Sequence, residues 1–300
     1  MQVHTIDLEF QGYPGTIASF LIEGETGAFL IETGPESCRS VLESKLESLG
    51  YKAGDLAAVF VTHIHLDHAG AAGAFAKEGV PLYVHPKGER HLVDPTRLVE
   101  SARMVYGSDF DRLWGEMIPA PSDLVHPMVD GEVVSIAGIE VTALETLGHA
   151  FHHHSFLVGS NCLFAGDSAG ARLENTEYTS VTSAPTQFHF EYTIESIDKL
   201  LRLNGIRLFL THYGEVENPV SHLEEYRKAV ELNVTFVQQR LEEGMDTDSL
   251  KIAYQAFQME QAFRSGLPRG LWESYQAVNG TDMCADGIRL YLEKKASEGS

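Results

Sequence analysis

Cysteine is scarce in this sequence. The chain of 300 residues has three, Cys38, Cys162 and Cys284, far apart and without a CxxC pair. That argues against a disulfide framework and for a reducing compartment, so a cytoplasmic location is expected. Long hydrophobic runs are also missing. No window approaches the roughly 18 uninterrupted apolar residues of a membrane span. The start, Met1-Gln2-Val3-His4-Thr5-Ile6-Asp7, lacks a basic stretch and a long apolar core, so no secretory signal is expected. Positive charge is in short supply. Lys and Arg total 22 against 43 Asp and Glu, a net charge of −21, and the longest basic run is Lys294-Lys295. Such a surface repels phosphate backbones and anionic membranes, which excludes neither a small-molecule substrate nor a second copy of the chain. A small-molecule substrate is expected, with no nucleic acid and no membrane as partner, and a homodimer as one use for exposed apolar surface. The rest is ordinary: 43% apolar and 22% charged residues exclude a disordered chain, a collagen and a coiled-coil rod.

The order of patterns indicates a mixed α/β core. Val3–Phe10, Thr16–Ile22 and Ala28–Glu32 read as strands of an antiparallel meander. Glu36–Leu49 repeats apolar residues at helical spacing and stops at Gly50. Leu56–Val61 is a short continuous apolar run, as in a buried strand. Ala69–Lys77 reads as a helix, Pro81–Val84 as a strand, and 86–118 as a mostly helical excursion. Strands return at Glu132–Ile136, Glu140–Thr146, Ser155–Val158, Cys162–Ala165 and Arg207–Leu210, with a helix at Ile194–Leu203. From about Pro219 the pattern is helical, over Leu223–Glu243, Asp248–Phe263 and Leu271–Lys295. The expected division is a domain over 1–215 and a C-terminal helical segment over 216–300 packed on it.

Histidine is abundant, at 14 residues, and clustered. The phrase Thr62-His63-Ile64-His65-Leu66-Asp67-His68-Ala69-Gly70 follows a predicted buried strand directly. A tight loop there aims His63 and His65 at one point, and Asp67 and His68 at a second. Imidazoles with a carboxylate suit zinc, iron or manganese rather than calcium. Further donors close later strands: His149 after Thr146-Leu147-Gly148, Asp167 after Ala165-Gly166, and His212 after Leu210-Thr211. Each sits beside or near a Gly, where the backbone can bend and leave room for a metal.

These elements, in this order, resemble the signature of the metallo-β-lactamase fold superfamily. The resemblance covers roughly residues 1–215 and implies an αββα sandwich. It implies His63, His65 and His149 on one metal, Asp67, His68 and His212 on a second, and Asp167 bridging them. The cofactor implied is two divalent transition-metal ions, zinc by preference, iron or manganese as alternatives. The phrases Val84-His85-Pro86 and Gly148-His149-Ala150-Phe151-His152-His153-His154 resemble a little-studied, hydrolase-like branch. True β-lactamases of the commonest subgroup carry Cys where this chain has Asp167, so a penicillin substrate is not expected. Flavodiiron oxidoreductases usually carry an acid at the His65 position. Thioesterases and lactonases of this superfamily share all seven donors, and the donor set does not separate them.

The function expected is metal-dependent hydrolysis of a small-molecule ester, thioester or lactone by hydroxide generated at the metal pair, with Asp67 or Asp167 orienting it or passing its proton. The alternatives are a mononuclear-iron oxidoreductase resembling persulfide dioxygenases, and a non-catalytic metal-binding protein. Thr62, Thr146, Ser168 and Thr211 are candidates to lock the imidazoles. His153, four residues after His149, and Tyr213, beside His212, are candidate substrate donors. In the tract His152-His153-His154 the alternative is one structural histidine and two exposed ones. His189 reads as core, His85 and His91 receive no role, and Met104, Tyr106, Phe110, Trp114 and Met117 read as core rather than an acyl pocket.

Overall fold

Strands buried on both faces carry apolar residues at consecutive positions rather than at every second one. In β2 (Ala18–Glu23) and β3 (Ala28–Ile31), Phe20, Ile22, Phe29 and Ile31 point into one apolar cluster. Leu21, Ala28 and Leu30 point into another. The computed structural model describes residues 1–298, and among them twelve strands form two six-stranded sheets. The first contains β1 (Gln2–Asp7), β2, β3, β4 (Val59–Phe60), β5 (Leu82–Val84) and β6 (Val125–Pro127) in that spatial order. The first three pair antiparallel, and β3 to β6 run parallel. The second runs from β7 (Val133–Ile136) through β8 (Ile139–Glu145), β9 (His154–Val158), β10 (Cys162–Phe164) and β11 (Arg207–Leu210) to β12 (Gly214–Val216).

The sheets face each other through aromatic side chains. Phe20 meets Phe164 at 5.0 Å between ring centroids, and Phe60 meets Phe156 at 5.2 Å. Each fully buried Phe contributes about 1.5–3 kcal/mol by removal from water. Helices cover both outer faces. α1 (Arg39–Ser48), α2 (Leu66–Ala69), α3 (Ala72–Lys77), α4 (Pro86–Val93), α5 (Thr96–Tyr106) and α6 (Phe110–Leu113) lie over the first sheet. On the second sheet pack α7 (Phe190–Leu201), α8 (Pro219–Glu242), α9 (Thr247–Arg264) and α11 (Thr281–Glu298). α10 (Trp272–Val278) closes a smaller cluster with Leu173 and Tyr178. The architecture is the expected αββα sandwich with C-terminal helices. Among the described residues, no helix is long and apolar enough to cross a membrane.

The helical tail shares a core with the sheet. Leu163, Leu208 and Leu210 form one cluster with Leu223, Tyr226, Val230, Val234 and Val237 of α8, and with Tyr254 and Ile288. The expected last helix, Leu271–Lys295, is broken between α10 and α11 at Asn279-Gly280. Phe110, Trp114 and Met117 are buried in the core over the first sheet, whereas Met104 is 81% exposed.

Candidate metal centre

β8, β10 and β11 run in one direction, so their C-terminal ends meet at one edge of the sandwich. β3 and β4 end at that same edge, where backbone bonds join the sheets: His154 N–H to Thr62 O (2.7 Å) and Ala18 N–H to Thr211 O (2.8 Å). The seven histidines and aspartates singled out in the sequence converge there. Their ligand atoms form overlapping groups, each within 4.8 Å: His63, His65 and His149; His63, His68 and Asp167; and Asp67, His68 and His212. His65 Nδ1 lies 2.9 Å from both His63 Nε2 and His149 Nε2. Asp167 faces both sides. Its Oδ2 is 3.3 Å from His149 Nε2, and its Oδ1 is 3.3 Å from His68 Nε2 and 3.5 Å from His212 Nε2. Asp67 and His68 sit on the short helix α2 rather than in the expected tight loop.

The outer nitrogens are anchored, which fixes each ring. His149 Nδ1–H donates to Thr182 O at 3.0 Å and His212 Nδ1–H to Thr16 O at 2.9 Å. His68 Nδ1–H donates to Glu32 Oε1 at 3.0 Å. His63 Nδ1 lies 3.1 Å from Thr62 Oγ1, whose own proton goes to Glu32 Oε1 at 2.5 Å. Thr211 Oγ1 also donates to Glu32, at 3.3 Å. Glu32 is wholly buried, at φ 62°, a left-handed conformation that its hydrogen bonds hold in place. The sequence reading missed it; the available signal was an acid closing an otherwise apolar strand.

Three of the inner atoms lack protein partners. His68 Nε2, His212 Nε2 and Asp167 Oδ1 are buried and make no hydrogen bond. Leaving such groups unpaired is costly, and a shared cation would satisfy all three, so the donor set fits a metal. The charges agree. Burial and neighbouring imidazoles push His63 well down and His65 to about 3, leaving both neutral. Burial works against ionisation of Asp67, but His68 and His212 outweigh it and hold that carboxyl at about 2. Burial likewise opposes a proton on His68, yet Asp67, Glu32 and Asp167 raise it well above the usual imidazole value. Positive charge is what this carboxylate set favours.

His153 holds the site from beneath instead of reaching a substrate. It is wholly buried. Its Nε2 accepts the Asp167 backbone N–H at 3.1 Å, so Nδ1 carries the proton, donated to Thr146 Oγ1 at 3.0 Å. Thr146 then donates to Ser155 (2.9 Å), Ser155 to Ser168 (3.0 Å) and Ser168 to Ala165 O (2.8 Å). Thr146 and Ser168 thus brace the Asp167 loop, not a ligand imidazole, while Thr62 and Thr211 meet Glu32. Gly166 and Gly148 make room for neighbours rather than a metal. At Gly166, φ 51°, a Cβ would come within 2.5 Å of Thr62 Oγ1; at Gly148, φ 127°, within 2.4 Å of the Thr193 backbone N.

Other expectations need correction. Tyr213 packs toward the sandwich interior, near Gly15, and burial beside Asp7 and Glu174 pushes its hydroxyl up to about 12. These contacts give no support to its expected role as a substrate donor. His152, His153 and His154 are all buried, at 6%, 0% and 0% exposure, because the tract turns into β9 at the sheet junction. His85 caps α4 by accepting from Lys87 N and donates to Glu145 Oε1 at 2.9 Å. His189 is a partly exposed cap of α7 stacked on Tyr192, not core. The tail reaches the site through Thr182. Thr182 Oγ1 donates to Asp167 O at 2.7 Å, and Tyr226 OH lies 3.1 Å from that hydroxyl.

A two-sheet sandwich with His and Asp donors at one edge defines a class, the αββα metallohydrolases. The chain belongs to the metallo-beta-lactamase superfamily, whose family model matches residues 12–212. It is 26% identical over 246 residues to the metallo-beta-lactamase fold-containing protein ST1585 of Sulfurisphaera tokodaii, covering 77% of this chain and 87% of that protein. It is 25% identical to the probable metallo-hydrolase YqjP of Bacillus subtilis, over 81% of each. The crystal structure of ST1585 superposes with a TM-score of 0.63, at 26% identity, over 76% of this chain and 85% of that one. That of TTHA1429 from Thermus thermophilus superposes at 0.68 and 20% identity, over 99% of this chain and 94% of that one, and so shares the fold through the C-terminal helices. Membership and the donor cluster together support a metal-dependent hydrolase.

Proposed function

We propose that this chain hydrolyses a small-molecule ester, thioester or lactone with two divalent transition-metal ions, zinc by preference. His63, His65 and His149 would hold one ion, Asp67, His68 and His212 the other, and Asp167 would be shared. The observation that carries this reading is the two-sided contact of Asp167, Oδ2 toward His149 and Oδ1 toward His68 and His212. When bound, such ions lower the pKa of a water and polarise a carbonyl. The reaction adds water across the acyl bond: its oxygen joins the acyl carbon, the acyl–heteroatom bond breaks, and a proton passes to the leaving group. Asp67 is the only carboxylate of the set with 16% side-chain exposure, against 6% for Asp167. It is the group placed to carry that proton outward. Thr182, His153 and Glu32 keep the donors in place.

The test is metal analysis followed by an ester, thioester and lactone panel. Close to two metal ions per chain at saturation, with oxygen-independent hydrolysis, is expected. A ceiling of one ion, iron, with oxygen uptake would replace this reading with the mononuclear oxidoreductase.

A further inference from the structure

Lys87, Arg90 and Arg97 meet at a cleft of about 720 Å³ whose walls also include Ile64 and His152. No Asp or Glu lines it among the described residues. That is unusual in a chain with net charge −21. Most guanidinium groups elsewhere are neutralised, such as Arg39 by Glu36 and Glu43, Arg172 by Glu177, Arg207 by Glu215, and Arg289 by Asp286 and Glu293. Among the described residues, Lys87, Arg90 and Arg97 pair with no carboxylate; Arg90 Nε donates to His91 Nε2 at 3.1 Å.

The cleft adjoins the metal centre. Ile64 lies between His63 and His65 in the chain, and the His152 ring is 5.5 Å from that of His65 and 6.1 Å from that of His63. His152 is 6% exposed and its buried Nδ1 has no partner. Asp94 acts on Arg97 only from beyond ion-pair distance. A substrate in the cleft therefore has three cations without a paired carboxylate at one part and the donor cluster at another. Guanidinium groups recognise phosphate and carboxylate through paired, charge-assisted hydrogen bonds. The volume suits a small molecule, and the acidic remainder of the surface disfavours a polynucleotide.

We propose that the substrate carries an anionic group, a phosphate or carboxylate remote from the scissile carbonyl, bound by Lys87, Arg90 and Arg97. This deepens the hydrolase reading and rests on it for the chemistry, but the anion site itself can be tested alone. Phenyl phosphate and benzoate are titrated into the zinc-loaded protein while the arginine Nε–H resonances are followed. Saturable shifts are expected, with affinity at least about tenfold weaker in Arg90→Gln/Arg97→Gln, the scale of a charge-assisted hydrogen bond. Arg264→Gln, a distant surface change, should leave the titration unaltered. The stronger of the two probes identifies the anion. In parallel, acetyl thioesters of phosphopantetheine, mercaptosuccinate and N-acetylcysteamine compare anionic with neutral substrates. An anionic preference of about tenfold or more in kcat/KM, falling toward one in the double variant, supports the proposal. Saturable arginine shifts without any hydrolysis would sink the hydrolase reading and keep the anion site. Hydrolysis with neither shifts nor preference would sink the anion site and keep the hydrolase. Cleavage of single-stranded RNA that is lost in the double variant, with no small-anion binding, would overturn the proposal in favour of a polynucleotide substrate.

Discussion

Glu32→Gln separates the two halves of the candidate centre. The side chains are isosteric and both must occupy φ 62°, so backbone strain is unchanged. What changes is the hydrogen-bond inventory. Glu32 accepts from Thr62 N (3.2 Å), Thr62 Oγ1 (2.5 Å), His68 Nδ1 (3.0 Å) and Thr211 Oγ1 (3.3 Å), all in a fully buried position. An amide offers one oxygen. If that oxygen keeps the three contacts of Oε1, the NH2 group opposes the Thr62 N–H. The Thr62 N–H and the new NH2 group are then both unmatched, at about 1–3 kcal/mol each, which lowers Tm by roughly 2–4 °C per kcal/mol in a chain of this size. The carboxylate also loses its charge beside His68. Removing such a supporting carboxylate costs about 10–100-fold in metal affinity, or about 1.4–2.7 kcal/mol. Only His68 feels this directly; His63 is linked through the Thr62 hydroxyl. The affinity is read by competition with a chromophoric chelator in two backgrounds. In His65→Ala the Asp67–His68–His212 set stays complete, and Glu32→Gln should weaken it by that full factor. In His212→Ala the His63–His65–His149 set stays complete, and the loss should be less than about tenfold. A larger loss in the second background, or none in either, would refute the reasoning.

Three further outcomes are expected. Asp167→Asn keeps the shape and the Thr182 and His153 contacts to the backbone, yet should reduce kcat at least about 10²-fold on the best substrate found, with weaker metal retention in the same preparation. Tyr226→Phe removes one buried hydroxyl facing Thr182, so a stability loss of about 1 kcal/mol in urea is expected; an unchanged midpoint would place Thr182 under other control. His222 donates from Nε2 to Ala169 O at 2.9 Å, and burial pushes its pKa from 6.5 to about 4. The unfolded chain then binds a proton that the fold excludes, so stability is full above about pH 6.5 and falls as pH drops toward 4, by about 3 kcal/mol. His222→Gln, which retains a donor, should flatten that window in urea titrations at stepped pH.

The strands and the seven donors were readable because they are local signals. Apolar runs such as Leu56–Val61 mark strands buried on both faces, and H-x-H-x-D-H places four donors within one short segment. β6 and β12 were missed because three residues each, at Val125–Pro127 and Gly214–Val216, carry no period. Glu32 was missed because its role lies in partners at Thr62, His68 and Thr211, distant in sequence. His153 was misread for a related reason. Spacing from His149 suggests reach, but side-chain direction depends on how the tract enters β9, and that turns His153 beneath Asp167. The loop over 165–189 has neither helical nor strand period. Its order comes from Tyr226, His222 and Cys284, which contact Thr182, Ala169 and Ser183 from the tail.

The grip of Tyr226 on Thr182 also sets a sequence of events during synthesis. A ribosome makes His63 to His68 first, Asp167 much later, and Tyr226 later still. Thr182 binds both His149 and the Asp167 backbone, and its own hydroxyl is met from α8. Until α8 has left the exit tunnel and docked, the early histidines belong to a nascent chain with no completed cage. Any capture of metal in the final geometry would therefore follow the docking of α8, and a translation product that stops short of α8 would lack the contact that braces Thr182.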